Sequence, residues 1–129
     1  MSKLFDFEKM DEFDVPCKES GETIFVSTRE PHKVTSKLIP TWCKGVVVHR
    51  PTHIKEPNNW VVSDIITHTT LPIKESTQMK EAVMRASALL REKGEESYKK
   101  ALQEVRGWLG DACDDPRLGF DLLNSNKEE

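Results

Sequence analysis

The sequence predicts an α+β domain: a mostly antiparallel sheet of three to five short strands, then an amphipathic α-helical hairpin and a short C-terminal helix. Three observations carry this. First, Pro16, Pro31, Pro40, Pro51, Pro57 and Pro72 all fall in the first 72 residues and only Pro116 follows. Proline fixes φ and removes a backbone donor, so this spacing cuts the first part into short elements. Second, the pieces between them are rich in β-branched residues. Third, the apolar period changes from two to about 3.6 after residue 76. Strands first and helices afterwards argue for α+β, and links too short for crossover helices argue for antiparallel pairing.

Taken in order, residues 1–20 form an acidic-aromatic arm, 22–73 a β-rich part and 76–123 a helical part of one domain spanning 1–124. The stretches "ETIFVST" (22–28), "KGVVVHR" (44–50) and "WVVSDIITHT" (60–69) read as strands, with "KVTSKLI" (33–39) a weaker candidate. From 78 to 93, Met79, Ala82, Val83, Ala86, Leu89 and Leu90 recur at helical spacing, with Ser76 or Thr77 as cap and Gly94 as stop. Tyr98, Ala101, Leu102, Val105, Trp108 and Leu109 repeat the pattern up to Gly110. The short link around 94–97 predicts an antiparallel helical hairpin laid over one face of the sheet. Asp115, followed by Pro116, predicts the start of a third short helix with Leu118, Leu122 and Leu123 facing inward. Residues 125–129 read as a frayed tail.

Bulk properties narrow the class. The 129 residues are 36% hydrophobic and 32% charged, enough for one modest core. No apolar run is long enough to cross a membrane, and the N-terminus lacks a signal-peptide pattern, which leads to an expectation of a cytoplasmic, reducing home. Cys17, Cys43 and Cys113 are odd in number and contain no Cys-x-x-Cys pair, against a disulfide framework. Charge is uneven. Residues 1–22 carry three Lys and seven acids (−4), residues 23–75 seven Lys/Arg and four acids (+3), and residues 76–129 nine basic and eleven acidic (−2).

Four candidate sites follow. The first is the arm "KLFDFEKMDEFDVP", where Leu4, Phe5, Phe7, Met10 and Phe13 alternate with acids. Such aromatics can dock in a partner's groove while the acids match a basic rim. The bland reading is that they close this chain's own core. The second lies in the basic middle: Arg29, Lys33, Lys44, Arg50, His53 and Lys55 stand near Trp42 and Trp60, the mixture that binds RNA or single-stranded DNA. Against it, Trp60 opens an apolar strand. The third is Cys43-x5-His49-x3-His53, which invites a zinc reading. A continuous strand would hold Cys43 and His49 roughly 20 Å apart at ~3.3 Å per residue, too far for one ion unless the chain bends, perhaps at Gly45. The fourth is a metal-dependent or phosphoesterase-like use of His49, His53 and His68. The His68-x-Thr70 motif lacks a second copy to complete an acid–base pair. The last segment, "DDPRLGFDLLN", carries enough apolar side chains to pack on the helices.

Weighed together, these readings lead to an expectation of a non-enzymatic binding or regulatory protein without cofactor or metal, with a protein as partner. The size and lack of motifs suit an accessory protein of the kind phages and viruses encode. Nucleic-acid binding is the alternative, and the outer faces of the helices leave room for a homodimer.

Overall fold

The computed structural model describes residues 4–50 and 59–124. Six strands are formed: β1 (Phe5–Lys9), β2 (Asp14–Glu19), β3 (Glu22–Ser27), β4 (Arg29–Ser36), β5 (Val46–Arg50) and β6 (Val61–Asp64). Helix α1 (Met79–Leu109), a 3-10 turn at Gly110–Asp114 and one helical turn, α2 (Asp121–Asn124), complete the chain. The α+β class and the antiparallel pairing are as the sequence predicts.

The strands make a four-stranded sheet in the order β1-β4-β5-β6 and a separate hairpin, β2-β3. All pairings are antiparallel. The hairpin turns on Ser20 and Gly21, with φ of 54° and 84°. Positive φ at both central residues is the tight two-residue turn whose twist matches the flanking strands. In β4 the register slips between Arg29 and His32. Pro31 lies in that slip, where it has no donor to give the ladder, and Glu30 takes a left-handed φ of 51°.

Two cores result, one on each face. Phe5, Val34, Val46, Val48 and Val62 point toward α1 and pack with Ala82, Val83, Ala86, Leu90, Tyr98 and Leu102. On the other face Val47 packs with Phe13 and Val15 at the root of the β2-β3 hairpin. β5 is therefore covered on both sides, which is why it reads as three consecutive valines and not as an alternation.

Several elements differ in extent from expectation. β6 stops at Asp64 and does not run to 69, because the Asp64 carboxylate accepts from the backbone N–H of Ile66 (2.7 Å) and Thr67 (3.2 Å) and draws the chain into a turn. The chain then doubles back, with Asp64 N–H on Thr69 O and a bridge from Ser63 to Thr70. The helical part is one element with two helical stretches meeting at Gly94, whose φ of 87° and ψ of 168° lie outside the helix region. The helix expected from Asp115 is replaced by a turn. Asp115 Oδ1 accepts from Arg117 N–H, and Asp115 O accepts from Leu118 N–H. An aspartate side chain that bonds two residues on favours a turn over a helical start. The cap of α1 is Gln78, without a side-chain cap hydrogen bond, and not Ser76 or Thr77 as expected. Ser76 lies two residues earlier, where its hydroxyl accepts from Gln78 N–H and donates to Glu81.

Gly119 locks the C-terminal segment to the sheet. Its N–H donates to Ile66 O at 2.8 Å. A Cβ built there would stand 2.5 Å from Ile65 O, so only glycine allows the approach. Leu118 and Phe120 on either side are buried in the helix-side core.

Candidate functional site

The chemistry-bearing side chains gather in three places: a buried carboxylate node beneath α1, a histidine pair on the opposite face of the sheet, and the outer edge of β1.

The node is built on Asp64, which is nine-tenths or more buried. The turn it forms brings two backbone donors to Oδ1, and Tyr98 from α1 donates its hydroxyl to Oδ2 at 2.5 Å. Burial pushes the Asp64 carboxyl up, and these three hydrogen bonds pull the other way. Burial beside Asp64 also drives the Tyr98 phenol and the Cys43 thiol up, so neither ionises near neutrality. Trp42 packs against Tyr98 with ring centres 5.2 Å apart. Beside Tyr98, an apolar groove of about 240 Å³ opens at the Gly94 kink, bounded by Leu71, Leu89, Leu90 and Ala101. The node ties sheet to helix, because the side-chain oxygens of Asp64 and Tyr98 are all used within the chain.

The histidine pair lies on the hairpin side. His49 Nδ1 stands 2.8 Å from Arg50 O, an acceptor, so Nδ1 carries the proton. Nε2 then accepts from the Ser63 hydroxyl at 2.7 Å. A serine donating to an imidazole that a third group orients is the arrangement of an activated nucleophile. Ser63 is 0% and His49 1% exposed, however, so no substrate carbonyl or phosphorus can reach the hydroxyl. His68 holds a left-handed φ of 60° and lies 2.6 Å through Nδ1 from Asp14 O. Its ring stacks on Phe13 at 4.1 Å, and Phe13 lies 5.7 Å from His49. Burial is the largest cause lowering both histidines' pKa. For His68 the Asp14 carbonyl and carboxylate and Asp115 oppose it, while Arg117 adds to it. Asp64 and His68 do not form a dyad: β6 ends at Asp64, whose carboxylate meets Tyr98 on the helix side, while His68 meets Asp14 on the hairpin side.

The zinc trio is also separated. Cys43 precedes β5 in the bent segment before Gly45, with its thiol toward Gly45 O and the helix-side core, whereas His49 faces the hairpin. His53 lies outside the described residues. Among the described residues no group of three His, Cys, Asp or Glu is placed to hold a metal ion.

The nucleic-acid candidates are not assembled into a stacking surface. Trp60 is buried, with the Arg50 guanidinium 3.9 Å over its ring, and Arg50 is also paired with Glu30 at 3.1 Å. Trp42 is held against Tyr98. Arg29 and Lys33 are exposed on β4 and Lys44 is half-buried, while Lys55 lies outside the described residues.

The N-terminal arm is not a free docking element. Phe5 (8% exposed) is in the helix-side core and Phe13 (3%) in the hairpin-side core, so neither is available to a partner's groove, and Phe7 and Met10 are half-buried. Leu4, at 52%, is the exposed apolar member. The arm instead supplies an edge. Met10 N–H donates to Pro31 O at 2.9 Å. Bonded and non-bonded residues alternate along an antiparallel ladder, so Asp6 and Glu8 also turn their backbone groups toward β4. The N–H and C=O groups of Phe5, Phe7 and Lys9 therefore point away from the sheet. Among the described residues no strand pairs with that side. Sequence reasoning missed this edge, although Phe5 and Phe7 alternating with Asp6 and Glu8 is a period-two signal.

No protein family, curated protein or solved structure matches the chain. Among the described residues no helix is long and apolar enough to cross a membrane.

Proposed function

We propose that this protein acts by binding another protein, through the N-terminal segment presented as the outer strand of its sheet, and not by catalysis. One observation carries the reading: the backbone groups of Phe5, Phe7 and Lys9 form an outward row with no strand beside it among the described residues. An unpaired row of this kind is a template on which an extended segment can add as a further strand. The sealed Ser63–His49 pair supports a binding role over a hydrolytic one, since its geometry is good and its access is nil. The arm is thus the contact, as its composition suggests, but through main chain in place of aromatic anchors.

The test is a single substitution. Lys9→Pro removes an outward N–H and leaves the β4 ladder intact, because Lys9 N–H does not face β4. Capture from native cells with the wild-type chain, followed by mass spectrometry with and without nuclease, should retain a protein that the Lys9→Pro chain loses at unchanged melting temperature. Equal retention by both chains refutes the edge as the contact. A retained species that disappears with nuclease would favour nucleic acid.

A further inference from the structure

The edge also carries information about what fits beside it. The side chains of Asp6 and Glu8 share the hairpin-side face of β1, and both are exposed. Across β4, Glu8 faces Lys33 and Asp6 faces the uncharged Thr35. Asp11 and Glu12 follow, exposed, just beyond the strand. On the opposite face of the same strand stand Phe5 and Phe7, buried and half-buried. A strand added at this edge would therefore meet negative charge at Asp6 and Glu8 on one face and the rings of Phe5 and Phe7 on the other, with the exposed Lys9 ending the ring face.

A second copy of this chain fits badly. The outward backbone row belongs to Phe5, Phe7 and Lys9, so two copies can pair about a two-fold axis only in registers that match odd residues with odd. Centring on Phe7 sets Asp6 of one copy opposite Glu8 of the other, twice. Shifting to either neighbouring register sets Asp6 opposite Asp6, or Glu8 opposite Glu8. Like charges directly opposite destabilise a strand pair, whereas opposite charges stabilise it. Every register that overlaps most of the strand thus places acid on acid.

We propose that the occupant of this edge is an extended peptide segment of a partner protein that alternates lysine or arginine with apolar residues, added as a fifth strand beside β1. Its cations lie against Asp6 and Glu8, and its apolar side chains cover the exposed part of Phe7. This rests on the edge-binding reading above and deepens it by naming the chemistry of the partner. The acids serve two ends: they exclude self-pairing and select a basic strand.

The experiment uses the full chain and three labelled peptides of equal length: alternating lysine–valine, alternating glutamate–valine, and the lysine–valine composition rearranged in blocks. Binding is read by fluorescence polarisation at low and at near-physiological salt. The alternating lysine–valine peptide should bind at least about fivefold more tightly than the other two, since each cross-strand pair reverses sign. The advantage over the glutamate peptide should shrink as salt rises. Asp6→Lys should weaken the lysine peptide and strengthen the glutamate one, and Lys9→Pro should lose both. Asp6→Lys is the preferred charge variant because it faces Thr35; at position 8 a lysine would stand opposite Lys33. Equal binding of lysine and glutamate peptides, or binding indifferent to Lys9→Pro, overturns the proposal. So does a dimer in sedimentation that Lys9→Pro dissolves, which would make the occupant a second copy. If native capture depends on Lys9 yet no basic peptide binds, the partner chemistry is wrong and the edge reading stands. If native capture ignores Lys9→Pro, both fall.

Discussion

Acidification should loosen the hairpin-side core, and the size of the effect follows from two imidazoles. Burial depresses the pKa of His49 and His68 in the folded chain below their ordinary 6.5. A depressed histidine binds fewer protons folded than unfolded, so stability is fully present above pH 6.5 and is lost as pH falls toward the folded value. Going from about pH 7 to about pH 5.5, the unfolded imidazole passes from about one quarter to about nine tenths protonated, which favours the unfolded state by up to ~1.3 kcal/mol per histidine. The ceiling for the pair is therefore ~2.5 kcal/mol, a sizeable part of the ~5–15 kcal/mol typical of a domain. Asp64 acts in the opposite sense. Its raised pKa adds stability below its folded value and removes it as pH rises from 3.8, so it offsets part of the loss. The histidine contribution is isolated by His68→Asn. Asparagine tolerates the left-handed φ of 60° and can still donate to Asp14 O, but it does not titrate. Urea denaturation of both chains at a series of pH values should show His68→Asn losing less stability than wild type between pH 7 and 5.5, by at most ~1.3 kcal/mol, at equal m values. Coincident pH profiles would refute the reasoning, since they would mean that His68 takes up its proton without leaving Phe13 and Asp14.

Other expectations concern the seams. Tyr98→Phe removes the only donor to Asp64 Oδ2 among the described residues and should cost ~1–3 kcal/mol by denaturant unfolding, with a change below ~0.3 kcal/mol counting against the node. Gly119→Ala forces a Cβ against Ile65 O, a backbone atom that cannot swing away, and should cost ~1–3 kcal/mol; an unchanged urea midpoint would show that the C-terminal segment is not pressed on the sheet. Lys9→Pro should leave the unfolding free energy from urea denaturation within ~0.5 kcal/mol of wild type, and a larger loss would mean that its N–H serves the ladder.

Much of the fold was legible where one local pattern decides it. The β-branched run Val46–Val47–Val48 reads as a strand and the spacing from Met79 to Leu90 as an amphipathic helix, though the cover on the second face of β5 came only with the hairpin-side core. What escaped reading depends on partners distant in sequence. Phe5 is drawn into the core by pairing with Ser36, some thirty residues on; the alternation in "FDFEK" marks a strand, but nothing local to it names that partner. The strand expected through residue 69 fails because the Asp64 side chain takes the backbone donors of Ile66 and Thr67 that a continued ladder would use. The early start of β4, at Arg29, was hidden by Pro31, which is tolerated because the register slips there. The candidate site was legible as composition: the arm was marked out by its aromatics and acids. That the aromatics turn inward and leave an unpaired backbone row among the described residues is a tertiary outcome, decided by which face of β1 the helix covers.

The place of the β2-β3 hairpin in the chain bears on the order of assembly. It lies between the two strands that must find each other: β1 ends at Lys9 and its partner residue is His32. Closed through Ser20 and Gly21, with Asp14 opposite Ser27, the hairpin shortens the loop between them from ~23 residues to ~10, which lowers the entropic cost of closing it by about 0.7 kcal/mol. Thr28 N–H on Phe13 O and Met10 N–H on Pro31 O then continue the closure step by step into the main sheet. The residues of the hairpin precede those of β5 in the chain, so its closure needs no part of the main sheet and sets β1 beside the place β4 will take.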